Sequence, residues 1–116
     1  MIDRKPRPHK YGAKAATVGA EKFSSKREAR RFMDLQLLAR GGEIRDLRRQ
    51  VKILLRGANG PILTPTGRKA SYVADFVYTD CRTGAEVIED AKGFATPEYK
   101  LKRAILAAQG IIIVEV

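Results

Sequence analysis

Two aspartates lie inside stretches that otherwise have the composition of buried β-strands. Asp75 occurs in YVADFVYTD (72–80) and Asp90 in VIEDAKG (87–93), and both stretches are rich in strand-forming apolar residues. A short turn, CRTG, separates them, so we expect them to pair as an antiparallel hairpin. If the register places both carboxylates on one face, they repel each other unless a proton or a cation lies between them. Mg²⁺ prefers such oxygen ligands, so the pattern predicts a metal site.

Two further charged residues are placed to act at the same site. Lys92 shares a face of the extended strand with Asp90, whereas Glu89 projects to the opposite face. Glu28, on the predicted first helix, precedes Phe32 by four residues and so shares the helix face that packs against the sheet. Carboxylates that hold one or two Mg²⁺ ions orient and activate a water, while Lys92 would bind that water or stabilise the pentacoordinate phosphate. The set suits metal-assisted hydrolysis of a phosphodiester bond.

Each acid also has an interpretation without a metal. Ser25 and Glu28 form the S-x-x-E pattern of a capping box, in which the acid satisfies the helix N-terminus. Asp75 would form an ion pair with a basic side chain of the preceding loop. Asp90 and Lys92 would form an exposed salt bridge that contributes little to stability.

The composition favours a polyanionic partner. Lys and Arg number 23 against 13 Asp and Glu, giving a formal net charge of +10. Such a surplus attracts phosphates without sequence specificity, although ribosome-associated and membrane-surface proteins share this balance. A single cysteine excludes an intrachain disulfide, and no apolar run approaches the roughly 20 residues that cross a bilayer, so we predict a cytoplasmic protein. The basic residues predicted to contact DNA lie on the two helices: Lys26, Arg27, Arg30, Arg31, Lys100 and Arg103.

The N-terminal half of the chain is predicted to contain a helix and a strand of the sheet. Residues 1–14 are basic and contain two prolines, which predicts a flexible arm, and residues 15–116 are predicted to form a single domain. ATVGAEKF (16–23) predicts a short hairpin. The remaining elements predicted here are a helix capped by Ser24 or Ser25 and stopped by Gly41 and Gly42, a strand at 48–56 and an exposed loop at 57–69.

The C-terminal half is predicted to run strand, turn, strand, helix, strand. Thr96 caps the second helix, Pro97 occupies its first position, and the helix ends before Gly110. IIIVEV (111–116) is an apolar run typical of a strand covered on both faces. A strand, a crossover helix and another strand most often pair in parallel. We therefore predict an α/β fold with a central mixed β-sheet flanked by helices.

The ordered set of candidate residues resembles the PD-(D/E)XK nuclease superfamily. Glu28 on a first helix precedes Asp75, which is followed after fourteen residues by Asp90-Ala91-Lys92. The resemblance implies that the catalytic residues are Glu28, Asp75, Asp90 and Lys92. It also implies that Asp75, Asp90 and the carbonyl of Ala91 bind the metal, with Glu28 bound directly or through water.

Longer segments resemble a family of small phage-encoded endonucleases that are similar to Holliday junction resolvases. The resemblance runs from about Lys10 to the end of the chain. The segments that carry it are EKFSSKREARRFMDLQLL, IRDLRRQV, ADFVY, VIEDAKGFATPEYKLKRAIL and IIIVEV. Two positions depart from the superfamily pattern, because Ala74 stands where its name has proline and Asp90 is the shorter of the two permitted acids.

What this resemblance implies is a metal-dependent DNA endonuclease with a restriction-endonuclease-like core. Mg²⁺ or Mn²⁺ would be its cofactor, and branched or duplex DNA its substrate, in phage DNA processing. Because junction resolution needs two symmetric nicks, a homodimer is expected. The alternative from another class is a non-catalytic basic nucleic-acid-binding module whose acids are structural. A pure binder gains nothing from acids that converge beside its phosphate-binding surface.

Overall fold

The computed structural model describes residues 16–18, 21–91 and 95–116. The elements in these ranges are β1 (Ala16–Val18), β2 (Glu21–Phe23), α1 (Lys26–Arg40), β3 (Ile44–Leu54), β4 (Arg56–Gly57), β5 (Gly60–Pro61), β6 (Ser71–Asp80), β7 (Glu86–Asp90), α2 (Pro97–Ala108) and β8 (Ile113–Glu115). The predicted arm at 1–14 and the predicted catalytic Lys92 lie outside the described residues. Neither of the helices in these ranges combines the length and apolar character that crossing a membrane requires.

The central sheet has the mixed pairing that the sequence predicts. Its four strands run in the order β3-β6-β7-β8, with β6 antiparallel to both of its neighbours and β7 parallel to β8. The short turn after β6 forces an antiparallel return, whereas α2 carries the chain back so that β8 runs parallel to β7. The predicted α/β architecture is confirmed. β1 and β2 form the predicted short hairpin as a separate two-stranded sheet.

Local sequence chemistry sets where both helices begin. Ser25 caps α1 by accepting a hydrogen bond from the backbone N–H of Glu28 at 3.1 Å. Thr96 caps α2 in the same way by accepting from the backbone N–H of Tyr99, also at 3.1 Å. Each such cap contributes about 1 kcal/mol to helix stability. The first cap fixes the position of Glu28 along α1 and therefore its orientation towards the sheet.

Apolar side chains form two cores, one for each helix. α1 packs Phe32 and Leu35 against Phe76 of β6. α2 packs Leu106 in a second cluster that includes Val77, the next residue of β6. Successive strand residues project to opposite faces, so the two helices cover the two sides of the sheet. Full burial of a leucine such as Leu35 or Leu106 contributes about 1.5–3 kcal/mol.

The strand predicted at 48–56 is present, but with different bounds, because β3 runs from Ile44 to Leu54. The loop predicted at 57–69 includes part of the small β4–β5 hairpin, which the sequence did not predict. β3 lies at the edge of the sheet, where one side meets solvent, so charged residues replace the apolar ones that mark a buried strand. A register shift between Arg45 and Arg48 interrupts its alternation further.

The prediction that the last strand is covered on both faces is wrong. β8 is the other edge strand of the sheet. Ile113 is buried, whereas the side chain of Val114 is 44% exposed and Glu115 is exposed. A three-residue strand at an edge buries only the side that faces a helix. The continuous apolar run in the sequence therefore predicted more burial than β8 has.

Candidate functional site

The β6–β7 hairpin brings Asp75, in the middle of β6, close to Asp90, the last residue of β7. Phe76 pairs with Glu89, and continuing this register places the two aspartates opposite each other. The backbone N–H of Asp75 donates to Asp90 Oδ1 at 3.2 Å, and the backbone N–H of Ala91 donates to Asp75 Oδ2 at 2.9 Å. Asp90 is fully buried and Asp75 is partly exposed. Each carboxylate is therefore held by the backbone of the strand that carries the other.

The close approach of these carboxylates sets the electrostatic character of the site. Ionised carboxylates at neighbouring positions repel each other, and the low effective dielectric constant of a partly buried site strengthens that repulsion. Hydrogen bonds to ionised groups are about twice as strong as neutral ones, so the backbone N–H donors offset part of that cost. A divalent cation between the two carboxylates would turn the repulsion into attraction.

Gln50 of β3 links the two aspartates to the acid on α1. Its Nε2 donates to Glu28 Oε1 at 3.3 Å and to Asp75 Oδ1 at 3.5 Å. Because both acceptors are carboxylates, the amide nitrogen must face them and the amide oxygen must face away. Gln50 has a φ of 52°, in the left-handed region that non-glycine residues seldom occupy. Backbone strain of this kind is concentrated at functional sites.

The side chain of Glu28 is buried against the sheet and accepts hydrogen bonds from neighbouring side chains. Only 2% of its surface is exposed. Ser24 donates its hydroxyl to Glu28 Oε2 at 3.1 Å, and Arg49 donates Nη2 to Glu28 Oε1 at 3.3 Å. The guanidinium of Arg49 in turn stacks over the ring of Phe23, 3.8 Å from its centre. Ser25 accepts from the backbone N–H of Glu28, so the helix is capped without the Glu28 carboxylate, which instead points inward.

Tyr99 places α2 beside the same two aspartates. Burial raises the pKa of its hydroxyl, and the negative charge of Asp90 raises it further, while Arg103 on the next turn lowers it. The residue is missing from the candidates that the sequence supplies. A periodicity argument would have found it, because Tyr99 precedes the buried Leu106 by seven residues and therefore shares its helix face.

Glu89 projects away from Asp90, as predicted, and joins a buried network with α1. Arg31 donates Nε to Glu89 Oε1 at 2.9 Å and Nη2 to Oε2 at 2.8 Å. Tyr78 donates its hydroxyl to Glu89 Oε2. The hydrogen bond to Glu89 raises the pKa of Arg31, and burial, followed by the hydrogen bond to Glu89, raises the pKa of Tyr78 to about 12. Sequence reasoning missed this network because its members lie far apart in the chain.

The basic residues predicted on α1 border a cleft. The cleft has a volume of about 400 Å³. It is lined by Arg27, Arg30, Arg31, Asp34 and Val116. Lys26 lies at the start of the same helix and is exposed. The arginines therefore lie in a concave surface rather than on a uniformly solvated helix face.

The basic residues predicted on α2 lie apart from that cleft. Lys100 is exposed to solvent. Arg103 forms an ion pair with Glu115 of β8, so part of its charge is already compensated. Lys102, between them, pairs with Glu98 at 3.1 Å. Of these α2 cations, Lys100 is the one whose charge is most available to a partner.

The described residues offer a metal ion two adjacent carboxylates. No group of three or more Asp, Glu, His or Cys side chains in these ranges is arranged to hold a metal ion. The amide of Gln50 lies between the carboxylates of Glu28 and Asp75 and donates to both. Mg²⁺ keeps several of its waters and is commonly bound by one or two carboxylates, so Asp75 and Asp90 fit its requirements without a third acid.

A protein-family model matches most of the chain. Its description is "Protein of unknown function (DUF1064)", and the match covers residues 8–112 of 116. No curated protein and no solved structure matches the chain. The family description assigns no activity, so the function follows from the chemistry of the site.

Proposed function

We propose that this chain, which belongs to the DUF1064 family, is a metal-dependent DNA endonuclease of the PD-(D/E)XK type. The observation that carries this proposal is the adjacency of Asp75 and Asp90, each held by a backbone N–H from the other's strand. Burying an acid such as Asp90 beside a second acid is costly, and a bound cation reduces that cost. The same arrangement is what a divalent cation needs. The net charge of +10 supports a phosphate-rich substrate.

Asp75 and Asp90 are the proposed metal ligands, and the carbonyl oxygen of Ala91 is a third candidate. A bound Mg²⁺ or Mn²⁺ would neutralise charge that develops on the scissile phosphate and lower the pKa of a bound water. Asp90 is buried and held by the backbone, so its oxygen atoms are fixed before any ligand arrives. Asp75 is the more accessible of the two and would contact the incoming metal and substrate first.

Gln50 and Glu28 are proposed to orient Asp75 rather than to react. The amide of Gln50 restrains Asp75 Oδ1, and Glu28 restrains that amide. Hydrogen bonds of this outer kind commonly change metal affinity or activity by about 10- to 100-fold. Lys92 has the proposed role of binding the attacking water or the pentacoordinate phosphate, by its resemblance to the catalytic lysine of the superfamily.

Branched DNA is the proposed substrate class, with Holliday junctions as its main example. The support is the resemblance to small phage-encoded endonucleases over nearly the whole chain. Resolving a junction requires two coordinated cuts on opposing strands, so we propose that the active form is a homodimer with two equivalent sites. Linear duplex is the natural comparison substrate, because an endonuclease without junction specificity would cut both.

One observation favours a non-catalytic nucleic-acid-binding module instead. Arg49 lies 3.3 Å from Glu28 and already compensates part of its charge, which a purely structural acid would also require. In that case Asp75 and Asp90 would only stabilise the pairing of β6 with β7 by accepting backbone hydrogen bonds, and the protein would bind DNA through its arginines. The two functions differ in one measurable property, because a binder without chemistry leaves its DNA intact.

The test compares DNA cleavage by the wild type, Asp75→Asn, Lys92→Ala and Asp46→Asn. Each protein is incubated with a four-way junction and with linear duplex, in Mg²⁺ and in EDTA. Asp46 is the matched control, because it is an exposed aspartate of β3 whose φ of 55° asparagine tolerates. We expect Mg²⁺-dependent cleavage by the wild type and by Asp46→Asn, and losses of about 100-fold or more in the other two variants.

The outcomes separate the parts of the proposal. Cleavage by Asp75→Asn at the wild-type rate contradicts the site assignment. Equal cleavage of junction and linear duplex leaves an endonuclease but removes the specificity for branched DNA. DNA binding without Mg²⁺-dependent cleavage by the wild type supports the non-catalytic module.

A further inference from the structure

The arginine cleft on α1 differs from an ordinary solvated helix face in two ways. Arg27, Arg30 and Arg31 are spaced so that they share one side of the helix, and together they line a concave surface of about 400 Å³. The opposite wall is Val116, whose carbonyl accepts a hydrogen bond from Arg27 Nη1 at 3.5 Å. The cleft therefore lies between α1 and the end of β8, at one edge of the sheet.

Arg31 is held rigidly in this cleft from below. Glu89 is 1% exposed and accepts two hydrogen bonds from Arg31, while Tyr78 donates to the same carboxylate. A guanidinium has five N–H donors, and Glu89 uses two of them. The side chain of Arg31 keeps 26% of its surface exposed, so part of the guanidinium remains accessible to a ligand. A planar fork held in this way is suited to a tetrahedral oxyanion.

Arg30 supplies a charge that the described part of the protein does not compensate. No ion pair of Arg30 is found within the described ranges, whereas Arg31 is paired with Glu89 and Arg27 contacts the backbone oxygen of Val116. Asp34 is the one acidic side chain among the described residues that line the cleft. The surface of the cleft therefore presents more donors and positive charge than it neutralises.

The cleft is also bonded to the candidate metal site. The backbone N–H of Val116 donates to the carbonyl of Asp90 at 3.0 Å, so the wall of the cleft is fixed to a proposed metal ligand. Glu89, which holds Arg31, is the residue immediately before Asp90 on β7. The cleft and the candidate metal site are therefore neighbours along the end of β7.

We propose that the cleft lined by Arg27, Arg30 and Arg31 binds a backbone phosphate of the DNA that flanks the scissile phosphate. Its ligand is a phosphodiester group, recognised by charge and by guanidinium geometry rather than by base identity. Glu89 acts as a positioning residue that orients Arg31 for this contact. This inference rests on the proposed endonuclease function, because a flanking phosphate presupposes that another phosphate is cleaved. The contact between the cleft and a phosphate can nevertheless be measured without cleavage.

The first test measures the salt dependence of DNA binding in EDTA. A short labelled duplex is titrated with wild type, Arg30→Gln and Arg82→Gln by fluorescence anisotropy over a range of KCl concentrations. Arg82 is the matched control, an exposed arginine in the β6–β7 turn. Loss of one phosphate contact reduces the slope of log K against log salt by about 0.9, which corresponds to about eightfold weaker binding at about 0.1 M salt. We expect this change for Arg30→Gln and not for Arg82→Gln.

The second test uses a substitution for which net charge and positioning predict opposite changes in DNA affinity. Glu89→Gln makes the protein more positive, so undirected electrostatic attraction would strengthen DNA binding. If Glu89 positions Arg31 for a phosphate, this substitution weakens binding instead. Arg31→Lys is the companion variant, because it keeps the charge and removes the planar fork. Circular dichroism at the assay temperature shows whether each variant is folded. If Glu89→Gln is unfolded, the DNA affinity of Arg31→Lys decides the test.

The failures are distinguishable. If Arg30→Gln changes affinity and slope no more than Arg82→Gln, or if Glu89→Gln and Arg31→Lys both bind as tightly as the wild type, the cleft is not a phosphate site. That result leaves the endonuclease proposal standing, since its test is cleavage. If the salt dependence of binding depends on Arg30 but the wild type never cuts DNA, the phosphate site is supported and the endonuclease proposal is contradicted.

Discussion

Glu89 and Asp90 are adjacent residues of one strand, both buried, yet their surroundings differ in kind. Glu89 faces α1, where the guanidinium of Arg31 and the hydroxyl of Tyr78 donate to it. Asp90 faces the end of the hairpin, where the backbone N–H of Asp75 donates to it and brings a second carboxylate close. Glu89 is held by side chains of other elements, whereas Asp90 is held by the backbone of a strand that carries a second acid.

The surroundings of a buried carboxylate indicate whether it stabilises the fold or serves the function. A carboxylate that is hydrogen bonded by an arginine and a tyrosine on another element ties those elements together, and its loss should be felt in stability. A carboxylate placed beside another carboxylate stores unfavourable energy that a bound cation relieves, and its loss should be felt in function. We therefore expect substitutions on the two sides of β7 to separate stability from activity.

The largest effect is expected for Glu89→Ala. It leaves Arg31 without its bidentate partner, and breaking a buried pair in this way costs about 3–5 kcal/mol in the free energy of unfolding. Glu86→Ala is the control on the same strand, because Glu86 pairs with Arg48 at 3.1 Å where both side chains are at least half exposed. Such a surface pair contributes about 0–1 kcal/mol. Equal losses in urea denaturation would contradict the structural role of Glu89.

A smaller effect, on activity alone, is expected for Gln50→Asn. Asparagine tolerates the positive φ of this position but is one methylene too short to reach both Glu28 and Asp75. We expect the cleavage rate to fall by about 10- to 100-fold, with little change in the free energy of unfolding. Gln36→Asn, a partly buried position on α1, provides the matched control. An unchanged rate in Gln50→Asn would remove Gln50 from the site.

The smallest effect is expected in the pH dependence of stability. Burial and the hydrogen bond to Glu89 raise the pKa of Tyr78 to about 12. The folded state holds this proton more tightly than the unfolded chain does, so the contribution is complete below about pH 10 and is lost as the pH approaches about 12. We expect the stability advantage of wild type over Tyr78→Phe to shrink by on the order of 1 kcal/mol across that window. A constant difference in urea denaturation would contradict the shift.

The parts of the fold that follow from local chemistry were predictable from the sequence. Ser25 and Thr96 cap helices because their hydroxyls accept the first free backbone N–H groups, whatever the rest of the chain does. The short turn between β6 and β7 fixes their antiparallel pairing, and that register brings Asp75 and Asp90 together. A spacing read from the sequence therefore reached the central feature of the candidate site.

The parts that depend on distant partners were not predictable. The pairing of Arg31 with Glu89 joins positions 58 residues apart, and nothing local to either residue indicates the other. Gln50 reaches two carboxylates because its backbone adopts a left-handed conformation in a strand, which contradicts its local preference. The edge positions of β3 and β8 depend on strand order, so their burial could not be judged from composition.

The most direct test of the central claim is whether Asp75 and Asp90 bind a divalent cation. Mn²⁺ is titrated into wild type, Asp75→Asn and Asp46→Asn, and the free ion is measured by electron paramagnetic resonance. We expect saturable binding by the wild type and by Asp46→Asn, and none by Asp75→Asn, because one carboxylate of the pair is lost. Saturable binding by Asp75→Asn equal to that of the wild type, or none by the wild type, would contradict the metal site.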